Sequence, residues 1–310
     1  MTLLVYTAQA QNYPSKPIKI VVAAAAGGVT DLLARVAADF ITAKTGQQVI
    51  VENRTGAGGN IGMEAVAKAP ADGYTLGMAA SSNIVINPFI FKKMPFDALN
   101  DLVPVAPIAE APQMIAVNDA VTAKTLHEFV ALAKSKPGII TYASAGRGTT
   151  MHFAADSFAR LANVELTHVP YRGAAPAVTD VVAGNVQMIS ISIGPILSFV
   201  QTGKMRVLAT ATPKRLRYIP DVPTSTEAGV PGYEMTTWFG LVAPAGTPKD
   251  AIDTIHKLIE GMLTDPEALK RMEASHLDYM HMTPAQFADH VKADYVKWER
   301  IVRDAGVQPE

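Results

Sequence analysis

The stretch VVAAAAGGVTDLLARVAADFI, residues 21–41, decides the fold class of the chain. Its small apolar residues are typical of a buried strand, which enters Gly27 and Gly28 before Thr30 and Asp31 open an amphipathic helix. Two glycines at this turn let a ligand approach the backbone closely. The unpaired N–H groups of the helix and the positive end of its dipole favour an anion. Tight packing of the strand on the helix, with no ligand, is an alternative explanation of the same glycines.

Strands and helices alternate after this turn. IKIVVAAA and QQVIVENR have the pattern of buried strands, and residues 30–46 between them have the pattern of a helix that ends at a glycine. The alternation continues to residue 210. It predicts an α/β fold in which helices flank two mixed or parallel sheets. Such sheets bind ligands beyond the carboxyl ends of their strands.

Two extended segments that contain several prolines, residues 101–118 and 232–248, divide the chain. A chain that leaves one domain, builds a second and returns needs two such crossings. We therefore predict two lobes with a ligand cleft between them, one made of residues 11–108 and 239–310 and the other of residues 109–238. The C-terminal part has the pattern of two helices that pack back on the first lobe.

The composition excludes several classes of protein. The 310 residues carry a formal net charge of −1 at pH 7, so we expect no basic surface for nucleic acid. The chain has no cysteine, which removes disulfides, thiolate metal sites and thiol nucleophiles. Its histidines are scattered, and the spacing of His276 and His281 does not suit one face of a helix. We expect no metal, no cofactor and no nucleic-acid partner.

The first ten residues have features of a secretory leader. A short apolar patch precedes Ala8, Gln9 and Ala10, which fit the small-x-small pattern of a signal peptidase site. The patch is short and lacks a positive beginning. We therefore interpret residues 1–10 as a leader remnant and place the mature start near Gln11, which predicts a periplasmic protein. An ordinary frayed terminus is the alternative.

A second glycine loop, in the sequence SAGRGTTMH of residues 144–152, repeats the arrangement of the first. Two such loops in opposite lobes predict a clamp for a small anion. We expect Asp31 to act structurally, because a carboxylate in a first helical turn complements the dipole and would repel an anion. We expect His152 to be a half-buried residue of the helix start and not a general base. Ser81 and Ser82 end another strand and are candidates at its carboxyl edge.

Six motifs, in order along the chain, resemble one family. They are YPSKPIKIVV with GGVTDLLAR, VIVENRTGAGGNIGMEAVAKAPADGYTL, ITYASAGRGTTMH, LTHVPYRGAAPAVTDVVAGNVQM, DVPTSTEAGVPGYE and WFGLVAPAGTP. From residue 13 to residue 310 the chain is similar to the periplasmic solute-binding proteins of tripartite tricarboxylate transporters, the Bug family. The resemblance implies a two-lobed type II periplasmic binding protein fold that closes on a small carboxylate. It also implies membrane transporter subunits as partners, and we expect a monomer that is not an enzyme.

Three departures from the family pattern bear on the ligand. Residues 23–26 are all small where relatives usually have prolines and an aromatic, which widens the first-lobe pocket. Ser190 and Ile191 stand where many relatives have an aromatic-acidic pair, so no partner for an ammonium is evident. Arg147 stands where relatives commonly have an uncharged residue, and its guanidinium can hold a second carboxylate unless it points to solvent. We predict a dicarboxylate, and an aromatic body fits the widened pocket.

Common enzyme motifs are absent from the sequence, which has no G-x-S-x-G elbow, no Walker loop and no H-E-x-x-H pair. A small-molecule enzyme that uses the same cleft and a carrier of an uncharged heteroaromatic remain alternatives. Trp238 and Phe239 lie at the second crossing and form either core or a wall of the cleft, and we favour the wall. The predicted ligand contacts are Gly27, Gly28, Val29, Thr30, Asp31, Ser81, Ser82, Ser144, Gly146, Arg147, Thr149, Thr150, Ser192, Trp238 and Phe239.

Overall fold

The structure is a computed structural model, and it describes residues 13–171, 173–273 and 275–309. The proposed leader and its cleavage site lie outside the described residues. The strands are β1 Ile18–Val22, β2 Val49–Asn53, β3 Thr75–Ala80, β4 Leu102–Pro112, β5 Met114–Asn118, β6 Thr141–Ser144, β7 Thr167–Pro170, β8 Met188–Ile191, β9 Met205–Thr210, β10 Thr236–Pro244 and β11 Asp278–Tyr279. The helices are α1 Val29–Thr45, α2 Asn60–Ala67, α3 Asn87–Ile90, α4 Leu126–Ser135, α5 Thr150–Ala162, α6 Ala174–Val182, α7 Leu197–Gln201, α8 Lys249–Met262, α9 Pro266–Glu273 and α10 Pro284–Asp304.

Two mixed sheets form the centres of two lobes. The first sheet has the strand order β11-β4-β10-β3-β1-β2, and the second has the order β7-β6-β8-β5-β9. In the first sheet β1 pairs in parallel with β2 and β3, while β10 runs antiparallel to β3 and β4. In the second sheet β6 pairs in parallel with β7 and β8, while β5 runs antiparallel to β8 and β9. The predicted α/β fold with two mixed or parallel sheets is confirmed.

The parallel pairs bring three turns together at one edge of each sheet. Val22 pairs with Asn53 and with Met78, so the carboxyl ends of β1, β2 and β3 lie side by side. The carboxyl ends of β6, β7 and β8 are aligned in the same way in the second sheet. Both predicted glycine loops follow strands at these edges, where α/β sheets bind ligands.

The chain crosses between the sheets at Gln113 and again after β9, and the two crossings are hydrogen-bonded to each other. The N–H of Gln113 donates to the carbonyl of Met235 at 2.8 Å, and the N–H of Ala211 donates to the carbonyl of Gln113 at 2.9 Å. The N–H of Met235 in turn donates to the carbonyl of Ala211 at 3.0 Å. These bonds join both crossings into one connection. The sheets put the crossings a few residues from the predicted lobe boundaries at 108 and 238.

The C-terminal helices bury apolar faces against the first lobe, as their sequence pattern predicts. Ile255 and Ile259 of α8 lie in the same buried apolar cluster as Leu33 of α1. In α10, Trp298 is buried and packs edge-on against Phe153 of α5, with ring centroids 5.8 Å apart. Helix α10 therefore contacts both lobes.

Three short elements have no clear signal in the sequence. Strand β11 has two residues, α3 has four and α9 has eight, so none is long enough for a strong periodic pattern. Helix α3 follows a single π-helical turn, Ser82–Ile86, at the carboxyl edge of the first sheet. Among the residues that the structure describes, no helix combines the length and apolar character that crossing a bilayer requires.

Candidate functional site

The turn between β1 and α1 leaves the start of a long helix uncovered. Gly27 has φ +85°, Gly28 is the N-cap of α1, and no side chain of a described residue caps this helix. Residues 25–28 are exposed, whereas the strand before them is buried. The first N–H groups of α1, including those of Val29 and Thr30, are therefore available to an anion at the positive end of a 17-residue helix.

Asp31 holds this turn in place. Its Oδ2 accepts hydrogen bonds from the Gly27 N–H and from Arg35 Nε, both at 2.9 Å, and its Oδ1 accepts one from Asn53 Nδ2 at 2.9 Å. The bond from Arg35 is the main cause that lowers the pKa of Asp31 to about 2, so the carboxylate is ionised at pH 7. Asp31 is 3% exposed. A buried carboxylate that already accepts hydrogen bonds from three donors stabilises the turn, in agreement with the structural role expected from the sequence.

The turn after β2 packs directly on the β1 turn. A Cβ on Gly59 would lie 2.8 Å from the carbonyl oxygen of Ala23 and 2.3 Å from Asn83 Nδ2, so only glycine fits there. Asn83 Nδ2 donates to the Gly58 carbonyl at 2.8 Å, and its Oδ1 accepts from the Ala80 N–H at 3.0 Å. Asn83 thus joins the turns that follow β2 and β3 beside the end of β1. No pattern in the sequence singles it out.

Two serines follow β3 at the same edge. Ser81 is fully buried, and its hydroxyl has no hydrogen-bond partner among the described residues. Ser82 is half-buried and begins the π-helical turn. A buried hydroxyl without a partner costs about 1–3 kcal/mol. Both serines stay candidates for ligand contact, although Ser81 would have to become accessible first, whereas Ser82 is already half-buried.

The turn between β6 and α5 is held by its own hydroxyl groups. Ser144 is fully buried, and its Oγ is hydrogen-bonded to the carbonyl and the N–H of Gly146, each at 3.1 Å, and to His168 Nε2 at 2.6 Å. Thr149 is the N-cap of α5. Its Oγ1 donates to the Gly146 carbonyl at 2.7 Å and accepts from the His152 N–H at 3.3 Å. The hydroxyls of Ser144 and Thr149 therefore stabilise the loop by hydrogen bonds to its own backbone.

Two stacked histidines lie under this loop. The rings of His152 and His168 are 4.4 Å apart and inclined by 16°, and Tyr142 also stacks on His168. The Gly148 N–H donates to His152 Nδ1 at 3.2 Å, which requires that nitrogen to be unprotonated. Burial lowers the pKa of both histidines, that of His168 to about 4, so both rings are neutral at pH 7. His152 lies in the first turn of α5, as expected, but it is buried and not half-buried.

The bond between Ser144 and His168 does not form a catalytic pair. A nucleophile must reach its substrate, and Ser144 is 0% exposed. Its single hydroxyl proton and its lone pairs already serve Gly146 and the imidazole. The pair therefore fixes the loop and offers no accessible nucleophile.

Arg147 lies at the tip of the same loop, and its side chain is exposed. Its positive charge is one of the causes that lower the pKa of His152 and of His168, after burial. Thr150, the first residue of α5, is half-buried. Both predicted roles of Arg147, ligand contact and exposure to solvent, are compatible with this position.

The turn after β7 has the same features as the first-lobe turn. Gly173 has φ +123° and is the N-cap of α6, and no described side chain caps this helix. Its N–H donates to the Ala145 carbonyl at 3.2 Å, which holds the turn against the neighbouring loop. The N–H groups of Ala174 and Ala175 open α6, while Pro176 has none. The sequence marks only a glycine between a strand and a helix here, so these two amides were not among the predicted contacts.

The remaining predicted contacts lie in different surroundings. Ser192 directly follows β8 at the second-lobe edge and is half-buried. Trp238 is 0% exposed, donates from Nε1 to Asp294 Oδ2 at 2.9 Å and packs edge-on against Phe287 of α10. Phe239 is buried in the apolar cluster on the other face of the sheet. The structure thus assigns Trp238 and Phe239 to the core, in place of the cleft wall favoured from the sequence, because both faces of β10 are covered by helices.

The two edges face each other across a cleft. Ile90, at the end of α3, approaches Gly148 in the second-lobe loop closely enough that a Cβ on Gly148 would lie 3.3 Å from Ile90 Cδ1. The first edge carries the open start of α1, and the second carries the open start of α6 with Arg147 nearby. This arrangement offers N–H donors and a cation to a small anion held between the lobes.

Comparison with known proteins agrees with this geometry. The family model described as the tripartite tricarboxylate transporter family receptor matches residues 33–307. A protein of Pseudomonas sp. strain P51, described as the UPF0065 protein in the tcbD-tcbE intergenic region, is 35% identical over 291 residues. That match covers 94% of this chain and 86% of the relative.

Two solved structures have the same fold. Rpa4515 of R. palustris with adipate superimposes with a TM-score of 0.83 at 30% identity, over 96% of this chain and 100% of the other. MatC (Rpa3494) from Rhodopseudomonas palustris with bound malate superimposes with a TM-score of 0.78 at 29% identity, over 94% and 100% of the two chains. The predicted two-lobed periplasmic binding protein fold is confirmed, and the matched family consists of receptors, not enzymes. The chain therefore belongs to the receptor family of the tripartite tricarboxylate transporters.

Proposed function

We propose that this chain is an extracytoplasmic solute-binding protein that captures a small organic dicarboxylate by closure of its lobes and delivers it to membrane transporter subunits. The observation that carries the proposal is the pair of open helix starts, α1 at Gly28 and α6 at Gly173, at the carboxyl edges of the two sheets. A helix dipole favours a negative charge at its start by about 0.3–1 kcal/mol, and direct N–H hydrogen bonds add to this.

The similar proteins support a carboxylate as the ligand. Rpa4515 was solved with adipate and MatC with malate, and both molecules carry two carboxylates. The described cleft edges of this chain also suit an anion. Asp31, at the first-lobe turn, is ionised, but its charge is paired with Arg35, and it also accepts hydrogen bonds from the Gly27 N–H and from Asn53 Nδ2.

The two ends of the ligand have different partners in this proposal. One carboxylate binds the first N–H groups of α1, with the half-buried Ser82 at the same edge of the sheet. The other binds Arg147, Thr150 and the first N–H groups of α6. An elongated or flat body between them fits the small side chains of residues 23–26.

A thermal-shift panel tests the ligand class. It compares adipate, malate and phthalate with the matching monocarboxylates and with the diamides. We expect the dicarboxylates to raise the melting temperature most, because a ligand at 100 times its dissociation constant stabilises the fold by about 2.7 kcal/mol. Equal shifts from the diamides would contradict an anion site and favour an uncharged ligand.

Calorimetry on Arg147→Ala tests the two-ended arrangement. We expect the variant to bind the dicarboxylate more weakly by about 1.5–3 kcal/mol, the range for a hydrogen bond to a charged group, and to bind the monocarboxylate almost unchanged. Arg215→Ala is the control, because Arg215 is an exposed arginine of the same lobe that pairs with Glu227. If Arg147→Ala weakens both ligands equally, or neither, the second carboxylate does not bind there.

A further inference from the structure

Helix α3 connects the ligand-binding edges of the two lobes. It is a single turn, Asn87–Ile90, that follows β3 at the first-lobe edge. Phe89 packs on Tyr295 of α10, with ring centroids 4.7 Å apart, which fixes the helix against α10. The two ends of α3 contact different loops.

The first end of α3 holds the turn after β2. Asn87 is 3% exposed, and its Nδ2 donates to the Gly58 carbonyl at 3.0 Å and to Asn60 Oδ1 at 2.7 Å. A Cβ on Gly58 would lie 3.3 Å from the ring of Phe91, which directly follows the helix. The turn that packs against the first anion loop is therefore covered by α3.

The other end of α3 reaches the second lobe. Ile90 is half-buried, and its Cδ1 lies where a Cβ on Gly148 would approach it to 3.3 Å. Gly148 has φ +75°, and its N–H is already donated to His152. That amide is therefore not available to a ligand, so the close approach of Gly148 serves the contact between the lobes.

We propose that Ile90 and Gly148 form the contact that stabilises the closed cleft, and that Asn87 is a positioning residue that ties this contact to the first-lobe turn. The inference rests on the proposed function, because closure has meaning only for a binding protein. The contact is apolar and contains none of the groups proposed to bind the ligand. It therefore adds the same free energy to closure around any ligand, in contrast to Arg147, which discriminates between ligands.

Five variants, three single and two double, test the proposal when they are measured with the same dicarboxylate and monocarboxylate. Ile90→Ala should weaken both ligands by the same factor, about 3- to 10-fold for a half-buried apolar contact. Gly148→Ala should weaken both by the same factor, about 3- to 10-fold, because the added methyl group would lie 3.3 Å from Ile90 Cδ1 and displace that side chain. In the double variant Ile90→Ala/Gly148→Ala, the short side chain at position 90 leaves room for the methyl group at position 148. The loss of affinity should therefore be clearly smaller than the product of the losses in the two single variants. In a protein that already carries Asn87→Ala, the substitution Ile90→Ala should weaken ligand binding by a smaller factor than it does in wild type.

Two controls separate closure from ordinary destabilisation. Gly138 has φ +71° in the second lobe with open space around it, so Gly138→Ala has the backbone cost of Gly148→Ala without the contact. It should lower the melting temperature and leave both affinities unchanged. Ile50→Ala removes an exposed isoleucine of β2 and should also leave the affinities unchanged.

Small-angle scattering adds a readout of shape. The ligand-saturated Gly148→Ala variant should keep a larger radius of gyration than ligand-saturated wild type. Additive losses for Ile90→Ala and Gly148→Ala, or an unchanged affinity in Ile90→Ala, would overturn the closure contact. If Ile90→Ala lowers the affinity by the same factor in wild type and in Asn87→Ala, Asn87 does not position the contact. Failure of wild type to bind any carboxylate would instead overturn the proposed function, and it is measured before any variant.

Discussion

Replacing Asp31 by alanine should destabilise the chain and loosen the turn that we propose to bind the first carboxylate. The substitution removes the acceptor of the Gly27 N–H, of Arg35 Nε and of Asn53 Nδ2 in one step. It also removes a negative charge next to the proposed anion site, which by itself would favour ligand binding. A looser turn should weaken ligand binding, and the lost negative charge should strengthen it. The sign of the change in affinity therefore shows which of the two effects is larger.

The pKa of Asp31 gives the size of the effect on stability. Its fall from 3.8 to about 2 corresponds to about 2.4 kcal/mol at roughly 1.36 kcal/mol per pKa unit. The side chain of Arg35 is 48% exposed, so solvent screens the pair, and we expect a loss of about 1–2 kcal/mol in Asp31→Ala. Because the folded pKa lies below the unfolded value, this contribution is present above pH 3.8 and is lost as the pH falls toward 2.

Urea unfolding of wild type and variant at pH 7 and at pH 3 measures this difference. We expect about 1–2 kcal/mol at pH 7 and less at pH 3. Asp39→Ala is the matched control, because Asp39 lies on the same helix and pairs with Arg271 at 2.9 Å but is 66% exposed. It should change stability by less than about 1 kcal/mol. Equal stability of wild type and Asp31→Ala at pH 7, or tighter ligand binding by that variant, would refute the role of Asp31 in holding the turn.

Three further predictions concern buried contacts that stabilise the two lobes. Gly59→Ala should cost about 3 kcal/mol in urea unfolding because its Cβ meets neighbouring atoms, whereas Gly27→Ala, with open space, should cost about 1 kcal/mol from its positive φ alone. Because the folded pKa of His168, about 4, lies below its ordinary 6.5, stability should fall as the pH is lowered from 6.5 toward 4, and melting curves of His168→Gln should show a flatter dependence. Tyr233→Phe removes the buried bond of 2.9 Å to Ser190 near the crossing and should cost about 1–2 kcal/mol in urea unfolding.

Each of these predictions has an outcome that contradicts it. Similar losses in Gly59→Ala and Gly27→Ala would mean that the three first-lobe turns do not pack as closely as the distances indicate. A steep pH dependence that persists in His168→Gln would assign the acid sensitivity to other groups. An unchanged stability of Tyr233→Phe would mean that its bond to Ser190 contributes nothing beyond solvation.

Local patterns are sufficient to predict the frame of the fold. The predicted strand and the amphipathic run after Gly28 correspond to β1 and α1, because both signals depend on side chains within one segment, but β1 ends at Val22, three residues before the predicted end. The structural role of Asp31 follows from the same segment, since first-turn carboxylates complement the dipole. The glycine loop at residues 144–152 was found by its similarity to the first loop.

Contacts between distant segments have no comparable signal. Asn83 and Asn87 bond to Gly58 across more than twenty residues, and Ile90 meets Gly148 only because two lobes face each other. The position of Trp238 was misjudged for the same reason. Whether an aromatic residue on a strand faces core or cleft depends on what covers that strand, and here α10 does.

A crystal structure of the chain with the dicarboxylate that stabilises it most is the most direct test of the account. We expect one carboxylate within hydrogen-bond distance of the first N–H groups of α1 and the other on Arg147 and the start of α6. We also expect Ile90 and Gly148 to be in contact. A ligand bound to one lobe alone, or a closed complex in which Arg147 points to solvent, would contradict it.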